Sequence, residues 1–368
     1  MRVLTIIHTM GHGGAENIFR WLAWGLKQRG VDVVAGIPRQ NDRHRGENWI
    51  GPALDELGIA YEVFEKRGSA YTLFSNLRAL IKRVRPDIVH SHLLDSNFYS
   101  SLASKTLRIP HISTEHGDVA LMHGVSSRAK FVMLSAASDA VICVAEGVRR
   151  LAARLVLSPS KLRVIHNGVQ FGDRPLSTFR REYQIPDRAI LVGSVGNLYP
   201  VKGHRYLIAA FARFLEVFPE AYLVLVGRGD EMGNLRSQVK DLRLPEDRVI
   251  FTGFRPDVPQ VLAALDLYVQ PSLSEGFPVA VLEAMALGVP VVATGVGGLS
   301  EILGNNEHGL IVPPGSAEAL CHGLIETAAR MDERKSRAAR SMIYVRDQFS
   351  IERMTSRYLE TYQEILKD

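Results

Sequence analysis

Short β-branched runs alternate with helical periodicity along most of the chain. Val3–Ile7, Val31–Ile37, Asp87–Ser91, His111–Thr114, Asp139–Val144 and Leu162–Ile165 read as strands in the first half. The pattern restarts with Ile190–Val195, Tyr222–Val226, Val249–Thr252, Leu267–Val269, Val291–Thr294 and Leu310–Val312. Between the first two strands, Ala15–Gln28 reads as a helix, with Gly30 beyond its end. Such alternation predicts parallel βαβ units. It makes the chain two facing doubly wound α/β domains, with ligands expected at the carboxyl ends of strands in the crevice between them. Gly168, Gly172, Pro175 and Pro186 cluster where the two series meet. The expected division is a domain over 1–170, a linker over 171–187, a domain over 188–346 and a polar helix over 347–368.

Composition fits this picture and narrows it. A chain of 368 residues exceeds one typical core, and its 46% hydrophobic and 23% charged residues are those of a globular protein. No apolar run reaches the ~18–20 residues of a membrane span, and the chain enters a strand at once, so no signal peptide is expected. Cys143 and Cys321 offer no disulfide framework and fit buried thiols of the cytosol. Charge is uneven: residues 1–170 hold 22 Lys/Arg against 14 Asp/Glu, whereas the rest holds 22 against 25. A basic first half can face an anionic acceptor or membrane surface. Within Ser75–Arg85, Leu77, Leu80, Ile81 and Val84 recur at helical spacing among Arg78, Lys82, Arg83 and Arg85. That reads as an amphipathic helix packed on its own sheet, its basic face open to solvent or lipid.

The most informative stretch is Ser274–Gly288. Glu275 precedes a Gly276-Phe277-Pro278 turn, and Glu283 lies inside the Ala/Leu/Met-rich segment that follows and stops at Gly288. Pro278 fits the first turn of that helix, where a missing N–H costs nothing. Free amides and a positive dipole end suit an anion there, and carboxylates accept hydroxyl hydrogen bonds. A nucleotide-sugar has both chemistries.

Glu275 and Glu283 in a Glu-x7-Glu spacing, followed by Pro290-Val291-Val292-Ala293-Thr294 and Gly297-Gly298, resemble the donor-site signature of retaining glycosyltransferases of family four, which have the GT-B fold. Gly13-Gly14-Ala15-Glu16, His116-Gly117, Asn167-Gly168-Val169 and Lys202-Gly203 match in the same order, so the resemblance runs to about residue 345. It implies two Rossmann-like domains, an acceptor-side domain first and a nucleotide-sugar domain second, with the last helix crossing back to the first. It also implies transfer from a nucleotide-diphosphate sugar, a UDP-sugar ahead of a GDP-sugar, to a hydroxyl acceptor with front-face displacement. No cofactor is expected beyond this substrate. Relatives often build cell-surface polysaccharide or glycolipid, which suggests a lipid-linked acceptor and a cytoplasmic protein peripheral to the inner face of the membrane. No nucleic acid is expected as a partner.

The same resemblance assigns roles. Glu283 would accept ribose hydroxyls and Glu275 the hydroxyls of the transferred sugar. Lys202 and amides around Gly276, Phe277 and Val279 would stabilise the departing diphosphate, Pro278 having no amide to give. Gly13 and Gly14 would face the diphosphate, and His116 would lie beside the transferred sugar. On the residues alone, Gly11–Glu16 is not a dinucleotide fingerprint, because Glu16 stands where a glycine is needed. Lys202 at a helix start opposes the dipole, a conflict that a bound diphosphate would remove. Asn197 stands where many relatives carry arginine; Arg228 is the candidate replacement, ahead of His204, Arg205 and Arg255. Phe254 lies where relatives contact the base. His90, His92, His111, His116 and His123 show no paired metal-ligand spacing, and the chain has no Asp-x-Asp, so metal-independent transfer is expected. A nucleotide-sugar epimerase of the same fold, or a catalytically silent nucleotide-sugar binding protein, is the alternative.

Overall fold

The computed structural model describes residues 1–39, 49–117 and 124–367. The chain forms two compact units, one of Met1–Gly168 with Ile351–Asp368 and one of Val169–Ser350. The first unit holds strands β1 (Arg2–Ile7), β2 (Asp32–Pro38), β3 (Ala60–Phe64), β4 (Ile88–His92), β5 (His111–Glu115), β6 (Ala140–Cys143) and β7 (Leu162–Val164). They form one sheet in the order β3-β2-β1-β4-β5-β6-β7, every described pairing parallel. The second unit holds β8 (Leu191–Val195), β9 (Tyr222–Val226), β10 (Val249–Gly253), β11 (Leu267–Gln270), β12 (Val291–Thr294) and β13 (Leu310–Val312). Their order is β10-β9-β8-β11-β12-β13, again parallel. In both sheets the direction of winding reverses once, between β1 and β4 and between β8 and β11. Helices leave the carboxyl ends of such neighbours toward opposite faces, which opens a crevice there.

Burial follows the sequence pattern. Val3, Leu4, Ile6 and Ile7 of β1 are fully buried, as two-faced parallel strands require. Over the second sheet, the helix His204–Val217 lays Leu207, Phe211 and Phe214, and the helix Ala317–Ala329 lays Leu320 and Leu324, against Val192, Leu223 and Val292. The amphipathic helix of the first unit spans Ala70–Val84 and buries Leu77, Leu80, Ile81 and Val84. Its Arg83 pairs with Glu62 at 2.9 Å and its Arg78 bonds Thr106.

Three expectations change. Strand β3 was not foreseen: it is an edge strand whose Tyr61 and Val63 stay exposed, so no buried run marks it. Residues 171–187 are not a free connector; the short helix Phe179–Glu182 lies in the second unit with Phe179 buried. Arg180 anchors it to Asp266 at 2.6 Å and to the carbonyls of Ala264, Pro186 and Ala189. Near the end, a helix already runs over Met331–Gln348, the chain breaks at Phe349–Ser350, and Ile351–Ile365 continues as a separate helix of the first unit. That helix buries Ile351, Met354, Tyr358 and Tyr362. It approaches the helix Gly14–Gln28 closely, since a Cβ at Gly25 would collide with the Thr355 hydroxyl.

Candidate functional site

In the second unit the loops after β8 and β11, the two strands at the reversal, bring the main candidates together. Lys202 ends a 3-10 turn (Pro200–Lys202), and the helix begins at His204, so Lys202 precedes the helix rather than opening it. Gly203 between them has φ +67°, and a Cβ there would run into the Pro271 carbonyl oxygen. Glycine is therefore required, and it seats Lys202 against the loop after β11. The Lys202 Nζ lies 2.7 and 2.8 Å from the two carboxylate oxygens of Glu275. Glu275 is buried, and its Oε1 also accepts from the Gln270 amide at 2.8 Å and the Ser272 hydroxyl at 2.6 Å. Gln270 is held in turn by the Tyr268 hydroxyl at 2.6 Å. Ser272 is fixed through its carbonyl, which accepts from the Thr294 hydroxyl at 2.6 Å.

The helix after Glu275 runs over Val279–Ala286, with Pro278 just outside it at φ −70° and ψ 117°, one position earlier than expected. Its first-turn amides lack intrahelical partners, as at any helix start. Phe277 is buried against Phe349, and the Gly276 carbonyl accepts from the Gly298 N–H at 2.7 Å. Glu283 is half-buried one turn into the helix. Gly297, at φ +56°, touches the Glu275 backbone so closely that a Cβ would overlap its carbonyl oxygen. The Gly297-Gly298 of the sequence signature thus braces the Glu275 turn.

Asn197, Arg228 and Phe254 follow β8, β9 and β10 in turn. The Leu198 N–H donates to the Arg228 carbonyl at 3.0 Å, which joins the first two loops. The Arg228 guanidinium sits over the Phe254 ring, 4.9 Å from its centroid. Both side chains are exposed, so a cation and an aromatic face stand together beside the half-buried Asn197. Arg255 is committed elsewhere, to Glu182 and Asp257, and does not serve as the missing cation. His204 is buried, 3.4 Å from the Ser194 hydroxyl, and burial with the nearby Lys202 charge holds its pKa down to about 4.

In the first unit, Gly13 precedes the helix Gly14–Gln28, and a Cβ on it would meet the Glu16 carboxylate at 2.6 Å. Beyond the reversal, β4 and β5 carry polar residues where a buried parallel strand is normally aliphatic. On one face His90 bonds Tyr362 and Thr114, both at 2.7 Å, and His92 Nδ1 lies 2.9 Å from His116 Nε2. On the other, Ser91 bonds Asn97 and His111, and Asn97 bonds Glu115 at 2.8 Å. Burial lowers the pKa of His111 to about 3 and of His116 to about 4, and raises that of Glu115 to about 7 against the opposing Asn97 bond. His116 is thus a neutral imidazole near pH 7. His123 lies outside the described residues, among which no three His, Cys, Asp or Glu side chains are grouped to hold a metal.

Gln270, Ser272, Tyr268 and Thr294 were missed in the sequence, as was His92 as a partner of His116. Their signal was present: polar residues inside or directly after otherwise apolar parallel strands. No helix among the described residues is long and apolar enough to cross a membrane.

Known proteins resemble the chain along its length. Residues 12–171 match the model of Glycosyltransferase Family 4, and residues 177–341 match that of Glycosyl transferases group 1. The N-acetyl-alpha-D-glucosaminyl L-malate synthase of Bacillus anthracis is 27% identical over 97% of this chain and 95% of its own. The UDP-Gal:alpha-D-GlcNAc-diphosphoundecaprenol alpha-1,3-galactosyltransferase of Escherichia coli is 26% identical over 68% of each. The crystal structure of Anabaena HepE in complex with UDP and glucose superposes with a TM-score of 0.88, at 23% identity, over 99% of this chain and 100% of that one. With two such parallel sheets and glycosyltransferase models from residue 12 to residue 341, the chain belongs to the GT-B glycosyltransferases.

Proposed function

We propose that the protein transfers a sugar from a nucleotide-diphosphate sugar, a UDP-sugar ahead of a GDP-sugar, to a hydroxyl acceptor, with retention of anomeric configuration and without a divalent metal. The observation that carries this is the Lys202–Glu275 contact at the β8/β11 reversal, directly before the helix Val279–Ala286. It sets one cation and one carboxylate beside the N-terminal turn of a helix, whose dipole favours an anion. The diphosphate takes Lys202 and the amides near Gly276, Phe277 and Val279, and the sugar hydroxyls take Glu275. Glu283 accepts from the ribose, and Arg228 with Phe254 and Asn197 serves the remaining phosphate charge and the base. For Gly13, Gly14 and His116, on the first unit, the family resemblance is what supports roles toward the diphosphate and the transferred sugar.

Retention is proposed on the resemblance of the Glu275–Glu283 signature to retaining enzymes, and the way Glu275 is bound suits a contact to sugar hydroxyls. Its carboxylate already accepts four hydrogen bonds, two from Lys202 and one each from Gln270 and Ser272. Three of the four fall on Oε1 and one on Oε2, so Oε1 is held by the protein and Oε2 opens to a sugar hydroxyl once Lys202 turns to phosphate. In the step proposed, the bond from the anomeric carbon to the diphosphate oxygen breaks while the acceptor oxygen bonds the same carbon from the same face. The acceptor proton passes to the departing diphosphate. Lys202 and the helix amides stabilise the developing negative charge in place of a metal.

The two curated relatives differ in acceptor, one named for L-malate and one for a diphosphoundecaprenol-linked sugar. The excess of Lys and Arg in residues 1–170 favours an anionic, lipid-linked acceptor and peripheral contact with an acidic membrane. Cosedimentation with vesicles containing anionic lipid tests the contact. The function itself is tested with a panel of UDP- and GDP-sugars, both acceptor types, and chelator. An α-linked product from an α-linked donor, formed equally in chelator, is the expected result; an inverted linkage or loss of turnover in chelator would overturn it.

A further inference from the structure

One imidazole beside the proposed sugar contact has an unusual hydrogen-bond balance. His92, the last residue of β4, is fully buried. Its ring is fixed by a tilted stack on His90, with centroids 4.2 Å apart, by the edge of Phe19 at 5.4 Å, and by a stack on His116 at 5.2 Å. His90 is itself pinned through both nitrogens, to Tyr362 of the last helix and to Thr114. The His92 Nδ1 lies 2.9 Å from His116 Nε2, whereas the His92 Nε2 is buried without a partner among the described residues.

A neutral imidazole has one N–H and one bare nitrogen, so only one proton can lie between the two rings. If His116 donated it, His92 would carry its own proton on Nε2, a buried N–H with nothing to bond. If His92 donates it, the unpartnered atom is a bare lone pair. Buried N–H groups without partners are rarer than under-satisfied acceptors, and a buried donor left unmade costs about 1–3 kcal/mol. Burial among other imidazoles keeps both rings neutral, which removes the doubly protonated solution.

We infer that His92 is a positioning residue that donates its Nδ1–H to His116 Nε2, so that His116 carries its proton on Nδ1 and meets a ligand as a hydrogen-bond donor rather than a base. Its functional meaning rests on the reading of His116 as a contact of the transferred sugar. His116 Nε2 is occupied by His92 and is closed to proton abstraction. A hydroxyl oxygen of the sugar is the group that the Nδ1–H serves, and the acceptor proton must leave by another route, the departing diphosphate.

Two-bond proton–nitrogen spectra of histidine-labelled protein at neutral pH read the tautomers directly. Both rings are expected in the Nδ1–H form; an Nε2–H form at His92 overturns the inference. His92→Asn places an amide N–H near the position of Nδ1–H and is expected to preserve both the His116 spectrum and transfer. His92→Leu removes the donor, mixes the His116 tautomers and lowers kcat about fivefold to tenfold, the worth of one neutral hydrogen bond, with donor KM unchanged. An unaltered His116 spectrum or kcat in His92→Leu, alongside a folded protein, contradicts the positioning role. A wild-type protein with the predicted spectra but no transfer of any sugar tells against the proposed function and not against this hydrogen bond.

Discussion

Removing Lys202 strands the Glu275 carboxylate in a buried loop, whereas removing Glu275 frees a lysine that can reach water, and the size of each effect follows from the geometry. Glu275 is 6% exposed and Lys202 25% exposed, so the pair is poorly screened on the carboxylate side. In Lys202→Met, Glu275 keeps the Gln270 and Ser272 donors but loses its countercharge and two short hydrogen bonds. Truncating one member of a fully buried pair costs about 3–5 kcal/mol. The partial exposure of Lys202 and the two remaining donors reduce this to about 2 kcal/mol. In Glu275→Gln, Lys202 can swing to water, so the loss is smaller, about 1 kcal/mol. The double variant removes both charges and should recover part of the deficit, with a coupling of about 1 kcal/mol or more. For a unit of this size each kcal/mol moves the melting temperature by about 2–4 °C. Thermal unfolding of the four proteins without ligand measures the cycle. Sugar transfer should fall in every variant by about a hundredfold or more, because both groups are proposed to touch the substrate. Additive melting shifts, or a Glu275→Gln enzyme that transfers at the wild-type rate, would refute the reasoning.

Three further outcomes are expected. His90, His92, His111 and His116 all have pKa values lowered by burial, so on unfolding each gains a proton below its ordinary value of 6.5. The stability they lend is present above about pH 6.5 and is lost as pH falls toward their folded values, each contributing about 1.4 kcal/mol per pH unit in between. Glu115 opposes them only between 4.5 and about 7. Trp21, Trp24 and Trp49 all lie in the first unit, so tryptophan fluorescence should report its acid unfolding between pH 6 and 4, and an unchanged signal at pH 4 would contradict this. Gly203→Ala should cost about 2 kcal/mol or more and impair transfer, since it both strains φ +67° and drives a methyl into the Pro271 carbonyl. Normal melting and activity would show that the loop adjusts. Arg228→Ala should leave stability within about 0.5 kcal/mol, because the side chain is exposed, yet raise the donor KM several-fold; an unchanged KM would remove Arg228 from the site.

Most of the scaffold was legible because parallel strands buried on both faces announce themselves as β-branched runs. The edge strand Ala60–Phe64 was not, since exposure of Tyr61 and Val63 leaves no such run. Glu275 and Glu283 stood out as candidates by their spacing about a helix start and Lys202 by the family resemblance, and Gly203 and Gly297 have the close backbone approaches that only glycine permits. What spacing could not reveal was which polar side chains meet. Gln270 and Ser272 look like strand-end residues until folding directs both to the Glu275 carboxylate. The proximity of Asn197 to the Arg228 loop depends on β8 lying beside β9. The histidine network depends on the register that sets His92 beside Thr114 and on a helix more than two hundred residues downstream that supplies Tyr358 and Tyr362.

The decisive measurement is a diffraction structure with an intact UDP-sugar bound. The Lys202 ammonium should lie within hydrogen-bonding distance of a diphosphate oxygen, with the diphosphate at the first turn of Val279–Ala286 and a sugar hydroxyl on Glu275. A nucleotide seated away from that helix, or an undisturbed Lys202–Glu275 pair with the sugar touching neither residue, would contradict this placement.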